Sequence, residues 1–314
     1  PAKLSRKRSA TRRAVSAAQA SDDAELLGDA QRAMGRSRRR SGDRRGAERS
    51  FRQSLRLARA RGDVEREALA MVELGGLALD RGHADRAIEL WERALALEEQ
   101  VGATGPSLLS RLRLGQVLKG CGRAAEAALV LTPVLGTEAH GMGVVVGLAW
   151  SQRGDLLALE GDDEAALECY GRANGVLDQH PNGRSEALAG RMRALLRRGE
   201  VGRAATDLQL MGLLAEHTDR PLDHRRHAVA RGRFSEEEGD LEAALAAASE
   251  AVALDAPRTV YRDIYGTKLE ASWLEVRALE GLGRSPSRAL QRTTRWFDRL
   301  STSFEDQAHG ELFR

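Results

Sequence analysis

A repeat of about 40 residues constrains this chain more than any other feature of its sequence. Each copy contains a glycine followed five residues later by an alanine, and successive glycines are 40, 40, 39, 38 and 40 residues apart. The glycines are Gly42, Gly82, Gly122, Gly161, Gly199 and Gly239, and the alanines are Ala47, Ala87, Ala127, Ala166, Ala204 and Ala244. A fixed period of this length is typical of proteins that stack one small structural unit many times.

Each copy has the apolar pattern of two amphipathic helices joined by a turn. In the second copy, Ala87, Trp91 and Ala94 follow the turn glycine at the i, i+4, i+7 spacing of one helical face. Met71 and Leu74 belong to a similar stripe before the glycine. We therefore predict a helix, a tight turn and a second helix, with the glycine ending the first helix in the left-handed conformation.

Acidic residues just after the turn agree with this interpretation. Asp162 follows Gly161 and Asp240 follows Gly239. Carboxylates are favourable at the positive end of a helix, so they predict the start of each second helix.

These positions resemble the tetratricopeptide repeat, whose pattern combines Leu-Gly, a turn glycine, a small alanine, an aromatic residue and another alanine. The cleanest copy covers residues 70 to 94, and the resemblance covers about residues 24 to 300. The long repeat is similar to those of kinesin light chains and MalT-like bacterial signalling regulators. The resemblance implies an all-α, right-handed superhelical solenoid of about seven helix-turn-helix repeats, with the extra residues falling between one unit and the next.

The domain boundaries follow from this resemblance. Residues 1 to 20 form a basic tail that we expect to be disordered, residues 21 to 300 form the solenoid, and residues 301 to 314 form a C-terminal tail or capping segment. The seventh repeat lies around Trp273 to Trp296 and fits if one residue is inserted after Gly283, so that Ala289 takes the small position.

In this family, positions 2, 5, 9 and 12 of the first helices line a concave groove, so the resemblance implies a set of candidate binding residues. The partner-binding candidates are Arg32, Arg36, Arg39, Gln116, Lys119, Arg193, Arg226 and Arg233. Equivalent positions hold Val72, Leu79, Leu112, Ser151, Asp155 and Glu236. The set is basic overall, which favours an acidic segment or a C-terminal carboxylate as ligand. The alternative is that these are ordinary solvated helix faces.

Positive charge is concentrated at the N-terminus. Residues 1 to 61 contain 18 Lys and Arg against 6 Asp and Glu, whereas the chain as a whole has a net charge of +3. The basic tail, with Lys3, Arg6, Lys7, Arg8, Arg12 and Arg13, could contact nucleic acid through phosphates. No sequence-reading motif accompanies it, so a solubilising tail or a partner-docking arm is the preferred interpretation.

The sequence contains no catalytic or cofactor motif. It lacks a phosphate-binding loop, a zinc-protease motif and a nucleophile elbow, so we predict no enzyme activity and no cofactor. Cys121 and Cys169 lack metal-ligand spacing, and His224 and His227, with His217 nearby, lack an evident third ligand. Trp91, Trp150 and Tyr170 occupy repeat positions, so we predict that they are core residues rather than a ligand cage. The ligand-cage alternative comprises the four tryptophans, Trp91, Trp150, Trp273 and Trp296, together with Tyr170, Tyr261 and Tyr265.

Two binding functions follow from these observations. The first is a scaffold or regulatory adaptor that holds a partner protein or peptide in the groove. The second is the effector-sensing region of a larger bacterial signalling protein, either a kinase or an ATPase-type transcription regulator. The longest apolar run, Gly141 to Trp150, is too short to span a membrane, and the cysteine usage fits the reducing cytoplasm.

Overall fold

The structure is a computed structural model that describes residues 11, 13–21, 23–137, 141–218, 220–254 and 267–301. Throughout these residues the chain is helical and forms no strand. This confirms the predicted all-α class.

The helices follow one another as seven consecutive pairs over the described residues. Their bounds are α1 Ala24–Arg40 and α2 Arg44–Arg61, α3 Val64–Leu79 and α4 Ala84–Gln100, α5 Thr104–Gly120 and α6 Ala124–Leu135, α7 Gly143–Leu159 and α8 Asp163–Val176, α9 Pro181–Arg197 and α10 Val201–Glu216, α11 Pro221–Glu237 and α12 Leu241–Ala253, and α13 Thr267–Gly281 and α14 Ser287–Ser301. The predicted seventh pair is present, and Ala289 is buried as its small position requires.

The turns inside the pairs are those predicted from the glycine period. Gly82 has a φ of 85° and Gly161 also has a φ of 85°, and the other four repeat glycines are likewise positive. A left-handed φ at this point favours glycine because a Cβ would be strained there. Asp162 and Asp240 cap the following helices by accepting hydrogen bonds from the backbone N–H groups of Ala165 and Ala243.

A second glycine in three of the first helices, α1, α3 and α7, lets a large ring of the partner helix approach the backbone. A Cβ added at Gly75 would lie 2.6 Å from Nε1 of Trp91, whose side chain is fully buried and donates a hydrogen bond to the Val72 carbonyl at 3.0 Å. Gly154 makes the same room for Tyr170. The recurrence of small residue and ring thus fixes how the two helices of a pair pack.

The sequence analysis predicts that the residues that lengthen this repeat lie in the loops between one helix pair and the next. For most pairs this prediction is wrong. Between α2 and α3 only Gly62 and Asp63 intervene, and between α4 and α5 only three residues do. Most helices instead run to 16 to 18 residues. Lengthening the helices extends the apolar stripe that the stack buries, whereas longer loops would add exposed backbone.

The chain divides into two compact units, one ending at Val117 and the other beginning at Leu118. We refer to them as unit 1 and unit 2. Unit 1 has Phe51, Trp91 and Leu77 in its core, and unit 2 has Tyr170, Leu188 and Met192. The repeat pattern of helix pairs is present in both units.

Part of the predicted disordered tail is ordered. Residues 13–20 form a helix, and Ala18 is fully buried. The segment from Ala14 to Ala20 contains four alanines and no charged residue, and alanine is the strongest helix former. Residues 1–10, Arg12 and the segment 302–314 lie outside the described residues, as do Tyr261 and Tyr265.

Candidate functional site

Ion pairs at the repeat spacing link each described first helix to a first helix of a neighbouring pair. In unit 1, Arg36 of α1 pairs with Glu73 of α3 at 3.4 Å, and the two residues are 37 apart in sequence. Arg39 makes a two-pronged contact with Asp80, 41 residues away, and donates to the Gly76 carbonyl at 2.9 Å. These predicted groove residues therefore already have carboxylate partners.

A line of alternating charges crosses the first helices of unit 2. Lys119 pairs with Asp155, Arg193 lies 3.6 Å from both Asp155 and Glu270, and Arg233 pairs with Glu270 at 2.9 Å. We call these five residues the charge line. Three predicted candidates, Lys119, Arg193 and Arg233, are thus brought together by two carboxylates, one of which, Glu270, the sequence analysis did not select.

Asp155 is the best-coordinated carboxylate of the charge line. Burial opposes its ionisation, but Lys119 and Arg193 outweigh that cost, and with a hydrogen bond from the Tyr170 hydroxyl at 2.7 Å they hold its pKa below the ordinary value. Burial and the neighbouring Asp155 charge raise the pKa of Tyr170, which remains a neutral donor. Asp155 therefore connects the core ring of its own pair to the charge line.

The other predicted candidates also have internal contacts or lie apart from the charge line. Arg226 pairs with Glu186 at 2.7 Å and with the buried Asp223 at 3.4 Å, and Arg32 pairs with Asp29 one turn away. Gln116 is half-buried in α5. Several equivalent positions are core residues rather than groove residues, because their side chains are buried: Leu79, Leu112 and Ser151.

A cleft of about 690 Å³ opens beside the charge line in unit 2. Its walls combine guanidinium groups with apolar and hydroxyl side chains. They are Arg193, Arg197, Arg233, Leu269, Glu270, Trp273, Leu290, Thr293 and Thr294. Trp273 is 48% exposed and Leu290 is 37% exposed, which is unusual for such large apolar groups in a chain whose repeat rings are buried.

The cleft contains residues that sequence reasoning missed. Arg197 pairs with Asp163 at 3.0 Å and is 45% exposed, and it lies on the first helix α9 beyond the mapped positions. Trp273 lies in the seventh pair, onto which no groove positions are mapped, and the sequence points to it only through the ligand-cage alternative. A search for opposite charges 36 to 41 residues apart would have found Glu270 opposite Arg233.

The aromatic and histidine predictions have mixed outcomes. Trp91 and Tyr170 are buried as predicted, whereas Trp150 is only half-buried and carries the Arg172 guanidinium over its ring at 4.7 Å. His224 lies 2.8 Å from the Thr218 carbonyl oxygen, and burial lowers the pKa of His227.

Within the described ranges, no group of three or more His, Cys, Asp or Glu could hold a metal ion. Within the same ranges, no helix is long and apolar enough to cross a membrane.

Comparison with solved structures identifies the same architecture. The apo form of the quorum sensor NprR from B. thuringiensis has a TM-score of 0.70 at 12% identity and aligns over 93% of this chain and 83% of its own. A Rap protein complexed with Competence and Sporulation Factor gives 0.69 at 13% identity, over 89% and 77%. The Rap conjugation gene regulator of plasmid pLS20 in complex with the Phr* peptide gives 0.64 at 17% identity, over 90% and 79%.

The fold is that of the tetratricopeptide-repeat proteins. At these identities the likeness concerns the fold alone. No family model matches the sequence, and no curated protein matches it either.

Proposed function

We propose that this chain is a non-catalytic cytoplasmic adaptor that binds a peptide segment of a partner protein in the cleft of unit 2. The observation that supports this most directly is the exposure of Trp273 and Leu290 beside three arginines. A large exposed aromatic residue within a concave site is typical of a binding anchor, because burying it against a partner removes apolar area from water.

The composition of the cleft defines the peptide. An apolar side chain would lie against Trp273 and Leu290, and a carboxylate would be held by Arg197, the most exposed of the three guanidiniums, in competition with Asp163. Arg193 and Arg233 share Glu270, so an acidic ligand must compete with that internal carboxylate. We therefore propose an acidic but chiefly apolar motif rather than a polyanionic one. Similar solved structures include a Rap regulator in complex with a peptide, which agrees with this ligand class.

A displayed random-peptide library selected on the purified chain tests the proposal. We expect enriched peptides that combine a large apolar residue with a carboxylate. Their Kd, measured by calorimetry, should rise about 30-fold or more in a Trp273→Ala, Leu290→Ala double variant, because truncating an anchor residue costs about 2 kcal/mol or more.

The matched control truncates two exposed leucines away from the cleft, Leu129→Ala with Leu213→Ala. An equal loss in this control, or no enrichment on the wild-type chain, would refute peptide binding in the cleft. The charge-reversal pair Arg193→Glu with Arg233→Glu then tests the arginines, and an unchanged Kd would show that they do not contribute.

A second candidate function is effector sensing within a larger bacterial signalling protein. The cleft volume favours it, since pockets for small ligands measure about 300 to 1,000 Å³. One of the similar structures is described as a quorum sensor. A small-molecule library that raises the Tm of the chain, with loss of the shift in the Trp273→Ala variant, would favour this function over peptide binding.

A further inference from the structure

The outer face of α2 carries a row of arginines. Arg45, Arg49, Arg52, Arg56 and Arg59 follow one another at spacings of four, three, four and three residues, so they lie on one face of the helix. All five are exposed. At a rise of about 1.5 Å per residue, the row is about 21 Å long. We call it the arginine row.

A cleft of about 800 Å³ lies along this row in unit 1. Four members of the row, Arg49, Arg52, Arg56 and Arg59, line it, and Arg38 of α1 adds a fifth guanidinium. Three glutamines, one serine and Leu55 complete the lining, and none of the lining residues is a carboxylate. The lining therefore consists mainly of hydrogen-bond donors with positive charge.

Carboxylates neutralise only part of the positive charge of the arginine row. Arg52 pairs with Glu48 at 2.7 Å, and Arg59 pairs with Glu67 at 2.8 Å. Arg56 contacts only the Gln53 amide oxygen, and Arg45 and Arg49 have no ion pair in the described part of the chain. These guanidiniums are thus free to bind an external anion, unlike Arg36 and Arg39 on the first helix of the same pair.

We propose that the arginine row and its cleft bind the phosphodiester backbone of a nucleic acid without reading its sequence. Guanidinium groups bind phosphate oxygens in two-pronged fashion, and a row about 21 Å long can contact several phosphates of a polymer that carries one charge about every 1.7 Å of duplex. Aromatic side chains on which bases could stack are missing from the lining, and the charge of the arginines favours contact with the phosphates.

Other anionic partners fit this face less well. A protein interface needs a core of buried apolar anchors, and the lining offers only the half-buried Leu55. A membrane-binding helix buries an exposed apolar face in lipid, but the apolar face of α2, with Phe51 and Ala58, is buried in unit 1. Charge without apolar anchors is the regime in which nucleic acid backbones bind.

Fluorescence anisotropy with the full chain tests this inference. The probes are a 24-base-pair DNA duplex, a 24-nucleotide single-stranded RNA and a 24-residue poly-glutamate. We expect the duplex to bind with a slope of log K against log salt of about −4, as four to five phosphate contacts predict. A triple variant, Arg49→Gln, Arg52→Gln and Arg56→Gln, should lose about a hundredfold in affinity at low salt, and its slope should become shallower by about 2 to 3.

The matched control, Arg86→Gln, Arg93→Gln and Arg203→Gln, removes the same charge from exposed arginines elsewhere. It should change the affinity less than threefold, and the Tm of both triple variants should stay near that of the wild type. A stronger preference for RNA over duplex would assign the site to single strands and still support it. Tighter binding of poly-glutamate than of either nucleic acid, an equal loss in the control, or no binding at 50 mM salt would overturn the proposal.

Discussion

The arginines of the first helices and those of the α2 outer face differ in what neutralises them. In unit 2, Arg193 and Arg233 belong to a line in which each positive charge meets a carboxylate from a neighbouring pair. On α2, Arg45 and Arg49 have no such partner in the described residues. Both regions appear basic in sequence, but only one offers charges that an external anion can bind without competition.

This difference shows that a count of arginines does not locate an anion site. A guanidinium paired within the fold contributes to holding helices together, and a ligand must displace its carboxylate before it can bind. Arg45, Arg49 and Arg56, which form no ion pair among the described residues, carry no such cost.

The largest effect is expected where the ring that supports the charge line is displaced. A Cβ at Gly190 would lie 2.4 Å from Cε1 of Tyr170, so Gly190→Leu must push the ring away and break its hydrogen bond to Asp155. We expect a loss of about 3 kcal/mol in the free energy of unfolding, measured in urea. Gly171→Leu, an exposed helical glycine with open space around it, is the control and should be neutral or slightly stabilising. Similar losses in both variants would contradict the packing argument.

Removal of the central carboxylate should have the next largest effect. Asp155→Ala removes the carboxylate that pairs with Lys119 and one of the two carboxylates that pair with Arg193, and we expect a loss of about 2 to 3 kcal/mol at pH 7, since the pair is partly exposed. Glu164→Ala, whose carboxylate is 91% exposed, is the control. A loss below about 0.5 kcal/mol would show that the charge line is not structural.

The same variant predicts a dependence on pH. The pKa of Asp155 is lowered in the folded chain, so its contribution is present above the unfolded pKa of about 3.9 and disappears as the pH falls through the folded value. The gap in stability between wild type and Asp155→Ala should therefore narrow below about pH 4.

The smallest effect is expected from a charge that is buried without a partner. Glu98 of α4 is 1% exposed, and neither of its carboxylate oxygens has a hydrogen-bond partner in the described structure. Burial raises the pKa of the Glu98 carboxyl. The nearby Ser110 hydroxyl lowers this pKa, but it lies outside hydrogen-bond geometry and its effect is smaller than that of burial. We expect Glu98→Gln to stabilise unit 1 by about 1 kcal/mol at pH 7.

The sign of this effect follows from the raised pKa. The folded chain binds the Glu98 proton more tightly than the unfolded chain does, so the wild type becomes less stable as the pH rises above about 4.3. The advantage of Glu98→Gln should thus vanish at low pH, whereas Glu92→Gln on the exposed face of the same helix should show none. An advantage that persists at pH 3.5 would mean that the cause is not the carboxylate charge.

Much of the fold can be predicted from the sequence. The candidate binding site can be predicted only in part. The period of Gly82, Gly122 and Gly161 predicts the turns, and the rings at Trp91 and Tyr170 predict how their own pairs pack. Lys119, Arg193 and Arg233 were selected as candidates, but their association with Asp155 and Glu270 was not foreseen. The exposed Trp273 was missed because its pair departs from the regular spacing.

The sequence by itself determined the helix pairs, because turns, caps and apolar stripes depend on residues within about one repeat of each other. Tertiary structure alone decided whether each charged side chain forms an ion pair or stays exposed to solvent. Whether Arg193 meets a carboxylate depends on side chains that come from α7 and α13, and Coulomb energy depends on distances that the packing of helices sets. The same packing left Arg49 without an ion pair among the described residues and Trp273 partly open to solvent.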